Sequence, residues 1–441
     1  MKILLINPKT KFPGKSPPVP LGLLQISALP HKNGHEIEIL DCNKTRTKGI
    51  KKKMKAADPD VVGFTSWTSG SLKSCIELSK FAKANLNAKV VWGGVHASLL
   101  PMQVIGEDYV DIVVIGEGDF TFNEMIENLK HPEKVNGIAF KHRDKIKLNA
   151  KTKTPDNLNN LPSIPWKLIR VKNYVFKWIG GLKTFVLPTS RGCPYNCTFC
   201  YNRIFYGGGW RPYSADAIKK NLENLITIYP NLEAIRVDCE DNLIGNDPDR
   251  AIKISSTLNA FDLKWSCQLR VNNVNEKILS NFKNNGCEYA FFGIESGSQR
   301  MLNFLKKGIT IDQSIRVFDI CNKIGLRPVS SFIIDIPTET NKDLDMTRKL
   351  ARRLNGIVHA GFYQPYPGTA LTKFLEKKGF KMPMRTEEWT EFNLSKCHNF
   401  SHNSRLRLLS AYYELNYIHN TKVLLEKRDF DMYFMLLKSL F

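Results

Sequence analysis

The sequence lacks several things, and each absence removes a class of reading. No apolar run approaches the roughly 18 residues that a membrane span requires, so no span is expected. There is no G-x4-G-K-[ST] phosphate loop and no H-E-x-x-H zinc pair, so neither chemistry is expected. The opening MKILLINP has neither a long hydrophobic region nor a cleavage-site pattern. It reads as a strand, and a cytoplasmic location is expected. Acidic residues are scarce beside basic ones, 42 Asp+Glu against 64 Lys+Arg, for a formal charge of +22.

Such a field favours anionic partners: nucleic acid, phosphorylated cofactors, an acidic protein or anionic lipid heads. The basic residues are nevertheless spread along the chain, as in a lysine-rich composition. The densest runs are Lys44–Lys55 and Lys141–Lys153, and neither interleaves the stacking aromatics that single-stranded nucleic acid calls for. A nucleic-acid partner is therefore not expected.

What is present is a long series of strand and helix signals. Residues 1–130 carry apolar, β-branched runs at Lys2–Asn7, Glu36–Asp41, Val61–Trp67, Lys89–Trp92 and Val110–Ile115, with helical stretches such as Leu21–Leu29 and Leu72–Ala84 between them. Apolar strands joined by helices indicate a parallel sheet covered on both faces, here of the doubly wound, flavodoxin-like kind. Residues 131–182 are basic and rich in Pro and Asn, and read as a surface connector. From Phe185 a second βα series runs through Ala234–Val237, Trp265–Leu269, Tyr289–Ile294, Ser331–Ile336 and Ala360–Gln364. Six such units suit an open, partial barrel over residues 183–380, with its site at the C-terminal strand ends. Residues 381–441 read as a helical cap packed on that barrel.

Ten cysteines in 441 residues are mostly scattered singly, as buried small hydrophobes are. A disulfide framework is not expected in a chain of this kind. Three stand together in Arg191–Asn202, RGCPYNCTFCYN, directly after the first barrel strand. Structural zinc wants four ligands, usually as two separated pairs, and no second C-x2-C pair follows. A four-iron cluster normally takes four thiolates. With three, one iron stays open to a ligand.

The C-x3-C-x2-C spacing of Cys193, Cys197 and Cys200, with Phe199 before the last cysteine, resembles the signature of the radical S-adenosylmethionine (SAM) superfamily. The resemblance implies a 4Fe-4S cluster on these three cysteines, with SAM chelated at the open iron and cleaved to a 5′-deoxyadenosyl radical. It also implies SAM contacts from Phe199, from Glu240 and Asp241 after the second barrel strand, and from Glu295, Ser296 and Gly297 after the fourth. Arg270, ending the third strand, offers a planar fork for a carboxylate. The fifth strand runs into a segment resembling G-x-P-G-E-T, but Asp335 and Thr338 replace the two glycines. A reductant protein of the flavodoxin or ferredoxin type is the implied partner.

Residues 1–130 resemble the cobalamin-binding domain of the cobalamin-dependent subgroup, and the whole resemblance covers about residues 1–380. Implied cobalamin contacts are Leu21 and Gly22, then Thr65, Ser66 and Trp67, Gly93 to His96, and Gly116, Glu117 and Gly118. Glycines at strand ends let backbone amides approach a bulky ligand. The D-x-H-x-x-G motif that ligates cobalt is absent, so no protein His is expected below the metal. Trp67 is the candidate to cover the lower cobalt face, and His96 to hydrogen-bond corrin periphery or backbone.

The resemblance then implies a C-methyltransferase that moves methyl from methylcobalamin to an unactivated carbon through a substrate radical, on a protein side chain or another substrate. Ring formation or oxidation without methyl transfer shares every motif. A non-catalytic cobalamin or nucleic-acid binding protein is the rival from another class. Methylthiolation needs three further N-terminal cysteines, and only Cys42 and Cys75 lie there.

Overall fold

The computed structural model describes residues 1–10, 19–45, 47–142, 145–149, 154–237, 243–393 and 396–426. Glu240 and Asp241 fall outside the described residues. Two seven-stranded sheets organise the rest.

The first sheet contains β1 (Lys2–Asn7), β2 (Glu36–Asp41), β3 (Val61–Thr65), β4 (Lys89–Gly93), β5 (Ile112–Val114), β6 (Ile138–His142) and β7 (Lys145–Leu148) in the order β2-β1-β3-β4-β5-β6-β7. The first five run parallel, in the flavodoxin-like order 2-1-3-4-5. β1 and β3 are near-continuous buried apolar runs, as strands covered on both faces must be. The antiparallel pair β6–β7 extends this sheet. Residues 131–182 are thus not wholly irregular: β6 is amphipathic, and its Ile138, Ala139 and Phe140 are buried. The basic character of the run hid that short apolar triplet.

The second sheet contains β8 (Phe176–Trp178), β9 (Leu182–Val186), β12 (Ala234–Arg236), β13 (Lys264–Leu269), β14 (Cys287–Glu295), β15 (Arg327–Ile334) and β16 (Ile357–Phe362), in the order β16-β15-β14-β13-β12-β9-β8. Its six parallel strands are the open, curled barrel expected, and β8 adds an antiparallel edge. A separate ribbon of β10 (Ser190–Gly192) and β11 (Trp210–Pro212) pairs Ser190 with Pro212 and Gly192 with Trp210. The cysteine loop is what this ribbon encloses.

Amphipathic helices cover the barrel, and their starts follow the usual chemistry. Thr310 with Gln313, and Thr340 with Asp343, form reciprocal capping boxes. The two sheets share packing. Leu21 and Leu24 belong to the barrel's apolar cluster, and the Tyr174 hydroxyl donates to Asp41 at 2.8 Å.

The C-terminal region is helical from Arg405 as expected, and a non-helical stretch leads into it. Residues 381–393 and 396–404 are irregular apart from one turn at Glu387–Thr390, and helix resumes at Arg405. The irregular stretch is a strap. Trp389 is buried in the first domain, with its indole donating to Gln103 at 2.9 Å. Asn399 and Ser401 donate backbone N–H groups to Asp335 of the barrel at 2.7 and 2.9 Å.

Candidate active site

Cys193, Cys197 and Cys200 lie together at the C-terminal ends of the barrel strands, all partly exposed and none in a disulfide. Gly192 makes the loop possible. Its φ of +78° is a conformation that L side chains avoid, and a Cβ there would overlap the carbonyl oxygen of Gly209. The far end is pinned by Thr198, whose N–H donates to Leu305 O and whose carbonyl accepts from Leu371 N, both at 2.9 Å. Phe199 packs against the apolar cluster of Met301, Leu305, Ile336, Tyr363, Leu371 and Leu375, so its ring anchors the loop.

Burial pushes the Cys200 thiol up to about 11 and raises Cys193 as well. The neighbouring thiols oppose ionisation too, while Arg270 and Lys307 favour it at Cys193. Arg270 is buried and lies over the Tyr195 ring, 3.6 Å from its centre, with one terminal nitrogen 3.8 Å from Cys197 Sγ. Its other terminal nitrogen donates to Lys307 O. Lys307 Nζ in turn donates to Glu295 at 2.6 Å, and both side chains are buried. Glu295 sits at φ +68°, and a Cβ on Gly293 would come within 2.6–2.7 Å of this pair. The Gly-x-Glu spacing therefore makes room for an ion pair beside the thiols.

Ser296 and Gly297 face another way. The Ser296 hydroxyl lies 3.2 Å from Thr347 Oγ1, and Gly297 N donates to that oxygen at 2.9 Å. A Cβ on Gly297 would overlap the Met346 carbonyl, so this glycine admits the helix Asn341–Leu354. Asp335 and Thr338, which stand where glycines were expected, keep the left-handed backbone at φ +64° and +71°.

A cleft of about 730 Å³ opens at the C-terminal edge of the first sheet. Gly22, Thr65, Gly93, Gly94, Gly116, Glu117 and Gly118 line it, over an apolar floor that includes Leu5, Phe64 and Phe122. Gly94 has φ +88°, and a Cβ there would lie 2.9 Å from both Ser66 N and Thr65 Oγ1. Of the other expected contacts, Leu21, Ser66, Val95 and His96 are buried and support the walls from behind. The Ser66 hydroxyl donates to Gly93 O at 2.8 Å and accepts from Ala97 N at 3.1 Å. Trp67 is 46% exposed and does not line the cleft. His96 is fully buried edge-on to Trp389, its ring centre 5.5 Å away, and desolvation lowers its pKa to about 3. It is a neutral packing histidine with Nδ1 3.4 Å from Thr68 Oγ1.

Glu117 reaches across the domain boundary. It accepts from Arg191 at 3.1 Å and from Arg211, and Asp119 completes the clamp on Arg191. Arg191, Phe205 and Tyr206, all from the cysteine-bearing segment, form part of the cleft wall. Sequence reasoning missed Arg191, Asp119 and Lys307. Arg191 stands two residues before the first cysteine, yet nothing local to it announces a partner seventy residues away.

The residues present suit both implied cofactors. Among the described residues no three His, Cys, Asp or Glu side chains converge tightly enough for a single metal ion. Three thiols that sense one another electrostatically from one loop are what a larger, multi-iron cluster needs, with its ligands spread over separate irons. The glycine-walled, apolar-floored cleft fits the size of a cofactor pocket and leaves backbone amides free to approach a ligand.

Comparisons with known proteins agree. Residues 187–351 match the radical SAM superfamily, and residues 14–126 match the B12 binding domain. The chain is 32% identical to an uncharacterized methyltransferase, PH0819, of Pyrococcus horikoshii, over 97% of this chain and 94% of that protein. It is 26% identical to cytidylyl-2-hydroxyethylphosphonate methyltransferase of Streptomyces wedmorensis, over 87% of this chain and 83% of that protein. Its fold is like that of the radical SAM methyltransferase TsrM from Kitasatospora setae, at a TM-score of 0.72 and 16% identity, covering 87% of this chain and 77% of that one. The cobalamin-dependent radical SAM enzyme OxsB gives a TM-score of 0.70 at 20% identity, with 98% of this chain covering 61% of that one. The chain belongs to the radical SAM enzymes that carry a B12-binding domain.

Proposed function

We propose that this protein is a cobalamin-dependent radical SAM C-methyltransferase, with Cys193, Cys197 and Cys200 as cluster ligands. The observation that carries the reading is the shared wall: Arg191, Phe205 and Tyr206 of the cysteine segment close the glycine-lined cleft of the first domain. Two cofactor sites built against each other leave a substrate between them in reach of both. When bound, the cluster would supply the electron that cleaves SAM, and cobalamin would supply the methyl group.

The chain's own part is to hold and orient. With Cys193, Cys197 and Cys200 as its ligands, the cluster would keep one iron open to a ligand. Arg270 places a fixed positive fork beside Cys197, suited to the SAM carboxylate. Lys307, held by Glu295, adds a second cation that favours anionic sulfur. The Arg191 clamp keeps the two sites in register. Gly94 and Gly116 let the cleft backbone approach cobalamin closely.

The test is anaerobic reconstitution with iron, sulfide and cobalamin, followed by incubation with trideuteromethyl-SAM and extracted metabolites and proteins. Methyl transfer predicts S-adenosylhomocysteine and 5′-deoxyadenosine together, with a product that carries the deuterated methyl. Deoxyadenosine without S-adenosylhomocysteine would replace this reading by ring formation or oxidation. The Cys200→Ala protein should hold no cluster.

A further inference from the structure

Five of the twelve large apolar side chains that stand exposed among the described residues share two neighbouring helices. Leu406, Tyr413, Ile418 and Leu425 belong to one continuous helix, in which Arg405–Tyr413 passes through a π turn, Glu414–Ile418, into His419–Glu426. Met346 is on the helix Asn341–Leu354 beside it. Leu406 is 80% exposed and Ile418 68%, so both project into water.

Their spacing makes a ridge. Leu406 and Tyr413 are seven residues apart, as are Ile418 and Leu425, which is close to two α-helical turns. The step from Tyr413 to Ile418 falls on the π turn, which takes an extra residue to complete one turn. Both pairs therefore stay on one side of the helix, over about 28 Å from Leu406 to Leu425.

The opposite side is committed to the barrel. Leu408, Ala411, Leu415 and Val423 are buried. Asn416 and Asn420 each bond both backbone groups of one β16 residue, Ala360 and Val358, over 2.7–3.0 Å. The helix cannot roll to hide its ridge without breaking these four bonds.

Charge lies alongside. Glu414 accepts from Arg348 and Arg352, and Arg407 pairs with Asp345, which ties the helix Asn341–Leu354 beside the first. On its outer side that helix carries Lys342, Met346, Lys349 and Arg353, about one per turn and all exposed. Arg353 pairs with Asp319. An apolar ridge next to a basic one suits a helix surface lying in the headgroup layer of an anionic bilayer. No helix among the described residues is long and apolar enough to cross a membrane.

Charge also selects this occupant over two others. A second copy would bring the same cations against these. Residues 427–441 are largely apolar in sequence, but they hold three cations and two carboxylates and offer the basic row no net counter-charge. Anionic lipid supplies it, and the chain's formal charge of +22 adds long-range attraction.

We propose that the outer face of residues 341–354 and 405–426 is a docking site for an anionic membrane surface. Leu406, Tyr413, Ile418 and Leu425 enter the headgroup layer, and Lys342 and Lys349 meet lipid phosphates. Docking is independent of the methyltransferase reading, because it is measured without turnover.

The full-length protein is sedimented with vesicles of phosphatidylcholine alone, and of phosphatidylcholine with roughly a quarter of phosphatidylglycerol. Saturable binding to the anionic vesicles is expected, weaker on the neutral ones and weakened by salt. Leu406→Ser with Ile418→Ser should reduce it about tenfold or more, at an unchanged melting temperature because both side chains are exposed. Lys342→Ser with Lys349→Ser should cost about fivefold per lysine on anionic vesicles and little on neutral ones. If the serine pair at the ridge lowered the melting temperature, the lysine pair would decide the matter. Light scattering on the same samples reads the oligomeric state. Binding that ignores lipid charge, or that survives both variants, overturns the site. So does a wild type that binds no vesicles, whether residues 427–441 or a second copy cover the ridge.

Discussion

Arg191 donates to Asp119 through both terminal nitrogens, at 2.6 and 3.1 Å, across the boundary between the two sheets. The same guanidinium reaches Glu117 at 3.1 Å, and the exposed fractions of the three side chains are only 3%, 4% and 3% for Arg191, Asp119 and Glu117. A buried pair of carboxylates around one arginine is costly to break from one side, because the charges left behind stay desolvated. Arg191→Met should therefore cost about 3–5 kcal/mol, read as a fall in melting temperature. Cobalamin and iron should be lost together, since the clamp joins their sites. Asp119→Asn placed on top of Arg191→Met should restore part of the loss. A single variant with unchanged melting and full cofactor content would show that the clamp holds nothing.

Gly192 separates local loop geometry from that clamp. Its φ of +78° and the nearby Gly209 carbonyl leave no space for a methyl group. Gly192→Ala should cost more than the roughly 1–3 kcal/mol of a left-handed alanine alone, because the β10–β11 ribbon must also open. The expected result is a soluble protein of lowered melting temperature that takes up little iron on reconstitution. Full iron uptake would mean that the loop can be built without the ribbon.

How much of this was legible beforehand follows from range. The cysteine triplet was legible because three cysteines suited to one cofactor lie within eight residues, Cys193 to Cys200. The parallel strands were legible because each is a short apolar run such as VVGFT at Val61–Thr65. Partners set by tertiary packing were not. Glu117 looked like a loop residue of a cofactor site and does line the cleft, but its carboxylate also meets Arg191 and Arg211, which the sequence did not announce. His96 looked like a ligand-facing histidine and is enclosed by Trp389, a residue almost three hundred positions away. Asp335 and Thr338 concealed a glycine-like backbone. Neither residue type announces a positive φ, and the conformation is held by the strap donating to Asp335.

That strap carries a pH dependence. Glu339 is fully buried beside Asp335, and burial raises its pKa from 4.5 to about 8. One of its oxygens accepts from Asp335 N at 3.1 Å, and the other has no partner, which suits a protonated carboxyl. A folded-state pKa above the unfolded value means the folded protein binds the proton more tightly. Its contribution is then fully present below about pH 4.5 and is lost as pH rises towards 8. The loss is at most about 5 kcal/mol for a shift of this size. Melting temperatures of the wild type should fall between pH 6 and pH 9, about one unit or more either side of the folded-state pKa, and those of Glu339→Gln should fall less. Parallel curves for the two proteins would place the titration elsewhere.

Gly94 offers the reciprocal of the ribbon variant. At φ +88° its backbone sits where a Cβ would come 2.9 Å from Ser66 N, and that amide already donates to Gly93 O at 2.8 Å. Alanine there must push β3 and β4 apart at the rim of the cleft. The strain is roughly 1–3 kcal/mol, and it falls on the wall that would receive cobalamin, away from the thiols. Gly94→Ala should thus weaken cobalamin binding, measured by retention through gel filtration, while iron and sulfide uptake stay close to wild type. Gly192→Ala should do the reverse. If both variants lost both cofactors equally, the two sites would be one cooperative unit and Arg191 its hinge; if neither lost cobalamin, the cleft would not be its site.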